Sequence, residues 1–199
     1  MKIYHYNLTD TDDSLLKEWF AQMSSEKKQS VSKMKVESKK NLRIAADALC
    51  RNALADFCSI SPAEITFEYS AHGKPYAKGL PAHFSVSHSG DIAVCAVSHS
   101  EIGIDIEKIR SVNPRASEKF ATENEREYIR NSETGFFEIW TLKEAYFKCI
   151  GTGLGTDIKD VSFDINGKDI TCSESGYKLS FIEIDKNYIC SVCKKTAQD

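Results

Sequence analysis

Proline is scarce in this chain, four residues in 199, and no stretch rich in Pro or Ser separates one part from another. Without such a linker one compact body is expected. Long apolar runs are missing too. None reaches the ~18 residues of a membrane-spanning helix, so no membrane association is expected. Net charge of either sign is small: 26 Lys and Arg against 29 Asp and Glu give −3, which provides no global pull toward nucleic acid. An even cysteine framework is also lacking. The seven cysteines (50, 58, 95, 149, 172, 190 and 193) sit mostly in apolar periodic segments and read as reduced core residues. Cys190 and Cys193 form a CxxC, but no second pair or nearby His completes a metal site. The opening MKIYHYNLTDTDDS turns acidic at once, unlike a secretory signal or transit peptide. A cytoplasmic protein is expected.

The elements follow from periodicity. Residues 1–8 alternate like a strand, and Ser14–Met23 reads as a short amphipathic helix capped by Asp12 or Asp13. Residues 24–40 are polar and basic. Asn41–Cys58 has helical spacing, with Leu42, Ala45, Ala46, Leu49, Ala53 and Leu54 on its buried side and Arg43 and Arg51 off that stripe. Ile65–Tyr69 is strand-like, and 71–75 is a loop. Phe84–Val97 reads as two strands joined through Ser89-Gly90-Asp91. Residues 101–109 alternate, burying Ile102, Ile104 and Ile106 and turning Asp105 and Glu107 to the opposite face. Residues 114–130 look helical, as do 136–149, and 161–165, 178–183 and 187–193 look like strands. Helix, strand and paired strands therefore occur twice in the same order. A duplicated α+β unit is expected, with halves at 1–100 and 101–199, a pseudo-twofold relation and a cleft between them.

Chemistry gathers at WTLKEAYFKCIGTGL, residues 140–154. Trp140, Glu144 and Lys148 fall one turn apart on one helix face, beside a second row of Lys143 and Phe147. A helix that only packed would carry apolar residues there, and the glycines at 151, 153 and 155 follow directly. Asp105 and Glu107, pointing the same way from one strand, repel unless a positive group lies between them. With Glu144 they make a set of hard oxygen ligands suited to Mg²⁺. On the two strand acids alone, a solvated edge paired with Lys108 or Arg110 is the simpler explanation. Lys27, Lys28, Arg43, Lys74, His88 and Lys148 are dispersed through the sequence, several of them where elements end or turn. A phosphate-rich ligand needs such donors from separate elements. His88, flanked by hydroxyls and a glycine, is unlike a core histidine.

GIDIE at 103–107 followed by WTLKEAYFK at 140–148 resembles the signature of the 4′-phosphopantetheinyl transferases, and within them the Sfp type, the surfactin-synthetase activator class. HGKPY at 72–76, HFSVSHSG at 83–90, KFATENE at 119–125 and the GTGL after the helix are similar to further segments of that family, in the same order. The likeness runs roughly from residue 25 to residue 154.

The resemblance implies two similar α+β halves with the active site between them. It implies transfer of 4′-phosphopantetheine from coenzyme A to a serine of an apo acyl or peptidyl carrier protein, releasing 3′,5′-ADP. Secondary metabolism (non-ribosomal peptide, polyketide or siderophore synthesis) is the expected setting, and a monomer the expected state. By the same resemblance Asp105, Glu107 and Glu144 bind Mg²⁺ with the pyrophosphate, and Lys148 neutralises or protonates the leaving phosphate. Lys27, Arg43 and His88 contact the 3′-phosphate and adenosine end, and Gly73, Lys74, Pro75 and Ser87 line the same pocket. Glu125 corresponds to a further acid near the metal. Glu144, directly or through a water, or Glu125 would be the general base. A coenzyme A or nucleotide-binding module without turnover is the alternative. Two departures stand out. Asp105 and Trp140 are separated by 34 residues, a short connection for the family that bears on carrier choice. Ser30 replaces a lysine, leaving Lys28 or Lys33 to substitute.

Overall fold

The computed structural model describes residues 1–154 and 158–196, except for the side chains of Asp10 and Pro114; Gly155 lies outside the described residues. The fold is α+β. Strand β1 (Lys2–Asn7) leads into helices α1 (Asp13–Gln22), α2 (Ser25–Ser32) and α3 (Glu37–Cys58). A small hairpin, β2 (Phe67–Tyr69) and β3 (Pro75–Ala77), precedes a longer one, β4 (His83–Ser89) and β5 (Ile92–Ser98). The order then recurs. Strand β6 (Ile102–Lys108) leads into α4 (Glu123–Asn131) and α5 (Gly135–Ile150), followed by the small hairpin β7 (Phe163–Asn166) and β8 (Asp169–Cys172). The strands β9 (Tyr177–Phe181) and β10 (Tyr188–Lys195) complete it.

Both sheets are built alike: β1-β5-β4 and β6-β10-β9, every pair antiparallel, with the last strand of each set in the middle. The repeat is fuller than sequence periodicity indicates. It begins at β1, which pairs with β5 from Lys2↔Val97 to Asn7↔Ile92, and it includes β3 and β8, short strands without an apolar alternation of their own.

The layers run α3, first sheet, second sheet, α5. On β5, Ile92, Val94 and Ala96 face the isoleucines of β6 together with Cys190 and Val192. The alternate residues Cys95 and Val97 pack with Cys50, Ala53 and Leu54 of α3. Strands buried on both faces read as continuous apolar runs, and β5 is buried along its whole length. In β10, Cys190 joins the core between the sheets and Cys193 the core under α5. Residues three apart on a strand face opposite ways, so this CxxC pair packs into two different cores. All seven cysteines are free thiols.

Several boundaries move for physical reasons. Helix α2, inside the polar stretch 24–40, buries only Val31 and so carries no apolar stripe; Ser24 caps it, accepting from the Lys27 N–H. Asp12 caps α1. Arg51 lies off the expected stripe yet is buried in α3, bonded to Asp47 and to the Ile65 carbonyl. The expected helix at 114–130 is a 3₁₀ segment, Pro114–Lys119, then α4, begun by a capping box of Thr122 and Glu125. No helix among the described residues is long and apolar enough to cross a membrane.

Strands β4 and β6 adjoin without sharing a backbone ladder. Serines at 85, 87 and 89 lie on one face of β4 and bridge the gap. Ser85 Oγ accepts from the Ile104 N–H (3.1 Å) and Ser89 Oγ from the Lys108 N–H (3.1 Å). Ser87 Oγ donates to Asp105 Oδ1 (2.6 Å) and Ser89 Oγ to Glu107 Oε2 (2.8 Å).

On the face of β6 opposite its isoleucines, the face that carries Asp105, the backbone of α5 comes very close. A Cβ on Gly103 would lie 1.9 Å from the Ala145 carbonyl oxygen and 2.5 Å from the Cys149 nitrogen. Gly103→Ala should therefore destabilise the fold by at least about 2 kcal/mol in urea unfolding. Gly79→Ala, which meets nothing within 4 Å but holds φ at +72°, should cost about 1–2 kcal/mol. A Gly103→Ala loss no larger than that at Gly79 would show that α5 is free to move off the strand.

Candidate active site

Helix α5 ends at Gly151, in the left-handed region at φ +79°, where glycine avoids the Cβ clash. Trp140, Glu144 and Lys148 form a half-buried row along it, and Lys143 and Phe147 are buried beside them. Trp140 packs edge-on against Phe120, ring centroids 5.0 Å apart, so the start of the row is core. Its other end faces β6. Lys148 Nζ donates to Asp105 Oδ1 (2.6 Å) and to Ser87 Oγ (3.0 Å).

Asp105 is 4% exposed, and its Oδ2 is buried with no hydrogen-bond partner among the described residues. Burial pushes its carboxyl up from the ordinary range, while Lys148 and Ser87 pull it down. Glu107 Oε2 accepts from Ser89 (2.8 Å) and from Arg110 (2.9 Å). Glu144 is pushed up to about 7, by burial first; Lys148 opposes the rise, and Asp105 and Glu107 add to it. The three expected acids thus feel one another, with too little positive charge between them.

That imbalance suits a cation. A buried carboxylate oxygen without a partner is costly, and an all-carboxylate donor set favours a hard ion. Among the described residues no three His, Cys, Asp or Glu are gathered into a metal cage. Mg²⁺ keeps several waters and takes substrate oxygens, so one or two carboxylates suffice to hold it. The residues fit such an ion in chemistry and leave part of its shell to a substrate.

Beside the acids lies a cavity of about 350 Å³. Lys27, Arg43, Gly73, Pro75, Ser87, His88 and Lys148 line it over Phe67, Phe84 and Val86. It brings together α2, α3, the β2–β3 hairpin, β4 and α5. Burial, then Arg43, holds His88 below the usual histidine range. Neither Lys28 nor Lys33 lines this cavity; Lys28 donates to the Ala21 carbonyl (2.7 Å).

Two expected residues are employed otherwise. Lys74 Nζ donates to the carbonyls of Cys149 (2.8 Å) and Ile102 (3.4 Å), satisfying the C-terminal end of α5 and tying it to β6. Burial lowers its pKa. Glu125, expected near the metal, is 1% exposed with both oxygens engaged. Oε1 accepts from the Phe163 N–H (3.0 Å), and Oε2 accepts from the Thr122 N–H (2.8 Å) and pairs with Lys143 (3.1 Å). Lys143 also donates to the Ile158 (3.0 Å) and Val161 carbonyls. The capping box buries Glu125 inside the second half, where it organises α4, α5 and β7.

Sequence reasoning passed over the roles of Gly103, Ser89 and Asp47; Arg110, expected there as a partner of the strand acids, does pair with Glu107. The period-2 hydroxyls of SVSHS and the glycine opening GIDIE were the available signals.

Residues 101–193 match the 4′-phosphopantetheinyl transferase superfamily model. Residues 11–100 match that of a 4′-phosphopantetheinyl transferase N-terminal region. The chain is 33% identical over 159 residues to the 4′-phosphopantetheinyl transferase gsp of Aneurinibacillus migulanus, covering 75% of this chain and 67% of the relative. It is 26% identical over 182 residues to the 4′-phosphopantetheinyl transferase Sfp of Bacillus subtilis (strain 168), covering 86% and 81%. The solved structure of Thermotoga maritima holo-acyl-carrier-protein synthase (AcpS) is similar to half of this chain and 64% of its own, with TM-score 0.43 and 21% identity.

Breaking the Lys143–Glu125 pair should be a stability event. Lys143→Met leaves a fully buried carboxylate uncompensated and should cost about 3 kcal/mol in denaturant unfolding. Lys143→Met with Glu125→Gln should cost less than the two single changes added together. Strict additivity would show that the two charges do not depend on each other.

Proposed function

Because this chain belongs to the 4′-phosphopantetheinyl transferases of the Sfp type, enzymes that pass phosphopantetheine to carrier proteins, we propose that coenzyme A is its donor, Mg²⁺ its metal and an apo-carrier serine its acceptor. One observation carries this reading. Lys148 lines the basic cavity and at the same time holds Asp105, so a polyphosphate seated in the cavity meets the acids at that ammonium.

In the proposed complex Lys27, Arg43 and His88 receive the 3′-phosphate and adenosine end, against the wall of Gly73, Pro75 and Ser87. Three donors from separate elements suit such a ligand better than one cluster does. Lys74 supports this wall through the end of α5. Asp105, through its unpartnered oxygen, with Glu107 and Glu144 holds the metal, which when bound neutralises charge on the pyrophosphate. The serine oxygen forms its bond to the β-phosphorus as the bond to the 3′,5′-ADP oxygen breaks, and Lys148 neutralises or protonates that leaving phosphate. The serine proton passes to Glu144 directly or through a water. Glu125 has no free oxygen for that role.

The proposal includes a cytoplasmic monomer with halves at 1–100 and 101–199. Free thiols, a cleft made within one chain and separate family matches to 11–100 and 101–193 support it. The likeness to Sfp supports a carrier from non-ribosomal peptide, polyketide or siderophore synthesis.

The test is to incubate the chain with an apo carrier protein, coenzyme A and Mg²⁺ and weigh the carrier by mass spectrometry. A phosphopantetheine-sized gain is expected. Coenzyme A binding without any gain would favour a binding module instead. Glu144→Gln should lower transfer by at least about 100-fold while circular dichroism and thermal unfolding stay near those of the parent. Full transfer by that variant would remove Glu144 from the reaction.

A further inference from the structure

Asp47 is an acid in the wall of a basic cavity. It is 7% exposed and lines the cavity from α3. A carboxylate there repels an incoming phosphate unless its charge is absorbed. Arg51, one turn along α3, absorbs part of it: Arg51 Nε donates to Asp47 Oδ2 (3.2 Å), and its Nη1 donates to the Ile65 carbonyl (2.8 Å). The other oxygen, Oδ1, holds Lys27 Nζ. Lys27 Nζ and Arg51 Cζ lie 4.5 Å and 4.9 Å from the centroid of Phe67.

Lys27 needs that support. Its helix α2 is eight residues long and buries only Val31, so its backbone fixes a long flexible side chain loosely. A lysine ammonium has three donors. One taken by Asp47 leaves two for a ligand, now aimed.

We propose that Asp47 is a positioning residue for the donor: braced by Arg51, it holds the Lys27 ammonium over Phe67, pointing at the phosphates of the bound nucleotide. This rests on the reading that places Lys27 against coenzyme A. The contribution falls on binding, because Asp47 Oδ1 and Oδ2 accept from Lys27 and Arg51, whereas Lys148 pairs with Asp105.

The test is a double-mutant cycle on the full chain, titrating coenzyme A by calorimetry and measuring transfer to an apo carrier. Lys27→Met should weaken coenzyme A binding at least about fivefold. Unchanged affinity would overturn the placement of Lys27 on the donor, and this proposal with it. Asp47→Asn should weaken binding roughly five- to tenfold, raising KM while kcat changes by less than about twofold. On the Lys27→Met background it should produce no further loss. If Lys27→Met weakens binding but Asp47→Asn binds as tightly as the parent or more so, the positioning role is wrong and the placement of Lys27 stands. An equal loss with Lys27 absent would make Asp47 a structural brace for Arg51 and its bond to the Ile65 carbonyl, and the positioning role wrong. Should Asp47→Asn fail to fold, Asp47→Glu takes its place, with the same criterion: a loss when Lys27 is present and none when it is absent.

Discussion

The absence of a side chain at Gly103 determines how close α5 can lie to β6. With the Ala145 carbonyl and the Cys149 nitrogen pressed onto that position, the helix rests on strand backbone. Glu144 and Lys148 come over Asp105 for that reason: Asp105 is two residues along the same strand face, and Lys148 is one turn along the helix from Glu144. Even an alanine methyl would push the helix outward, and the Lys148–Asp105 contact of 2.6 Å has little slack. Lys74 fastens the same approach from the other half by bonding both Cys149 and Ile102. Sheet, helix and site are set by one contact.

The second constraint is how the two sheets meet. Two edge strands without a shared ladder leave polar backbone groups to satisfy. Ser85 and Ser89 accept two of those N–H groups, and Ser87 and Ser89 turn their own protons onto Asp105 and Glu107. One alternating run therefore does two jobs. Its apolar residues, Phe84 and Val86, pack toward α3, and its hydroxyls join the halves and orient the acids.

The helices and central strands were legible because burial follows period there: α5, β5 and β6 lie within a residue or two of their expected limits. Their acids were legible through spacing, and the row at 140, 144 and 148 lies along one helix face. What escaped lacked a period. Helix α2 has one buried residue; β3 and β8 are short and pair only locally. Partnerships escaped as well. Thr122-x-x-Glu125 carries the spacing of a capping box, but only the fold shows that a buried lysine encloses Glu125 while, among the described residues, one oxygen of Asp105 stays without a partner. Arg51 falls off the apolar stripe, yet its fork is taken up by Asp47 and a carbonyl. Polar burial of that kind is set by tertiary contact.

Those two buried acids separate structure from chemistry. Glu125 meets a fully buried lysine and two backbone N–H groups, so both its oxygens are engaged. Asp105 is nearly as buried but, among the described residues, has partners at one oxygen only. Its neighbours Glu107 and Glu144 add like charge, and the pKa of Glu144 rises to about 7 after burial, opposing Lys148 and the two acids have acted. A folding core under stability pressure alone would finish that arrangement as it finishes Glu125. Leaving it unfinished costs stability in the free protein, a cost that the Mg²⁺ of the proposed reading would offset. The incomplete carboxylate, more than the count of acids, is what points to the proposed site of chemistry.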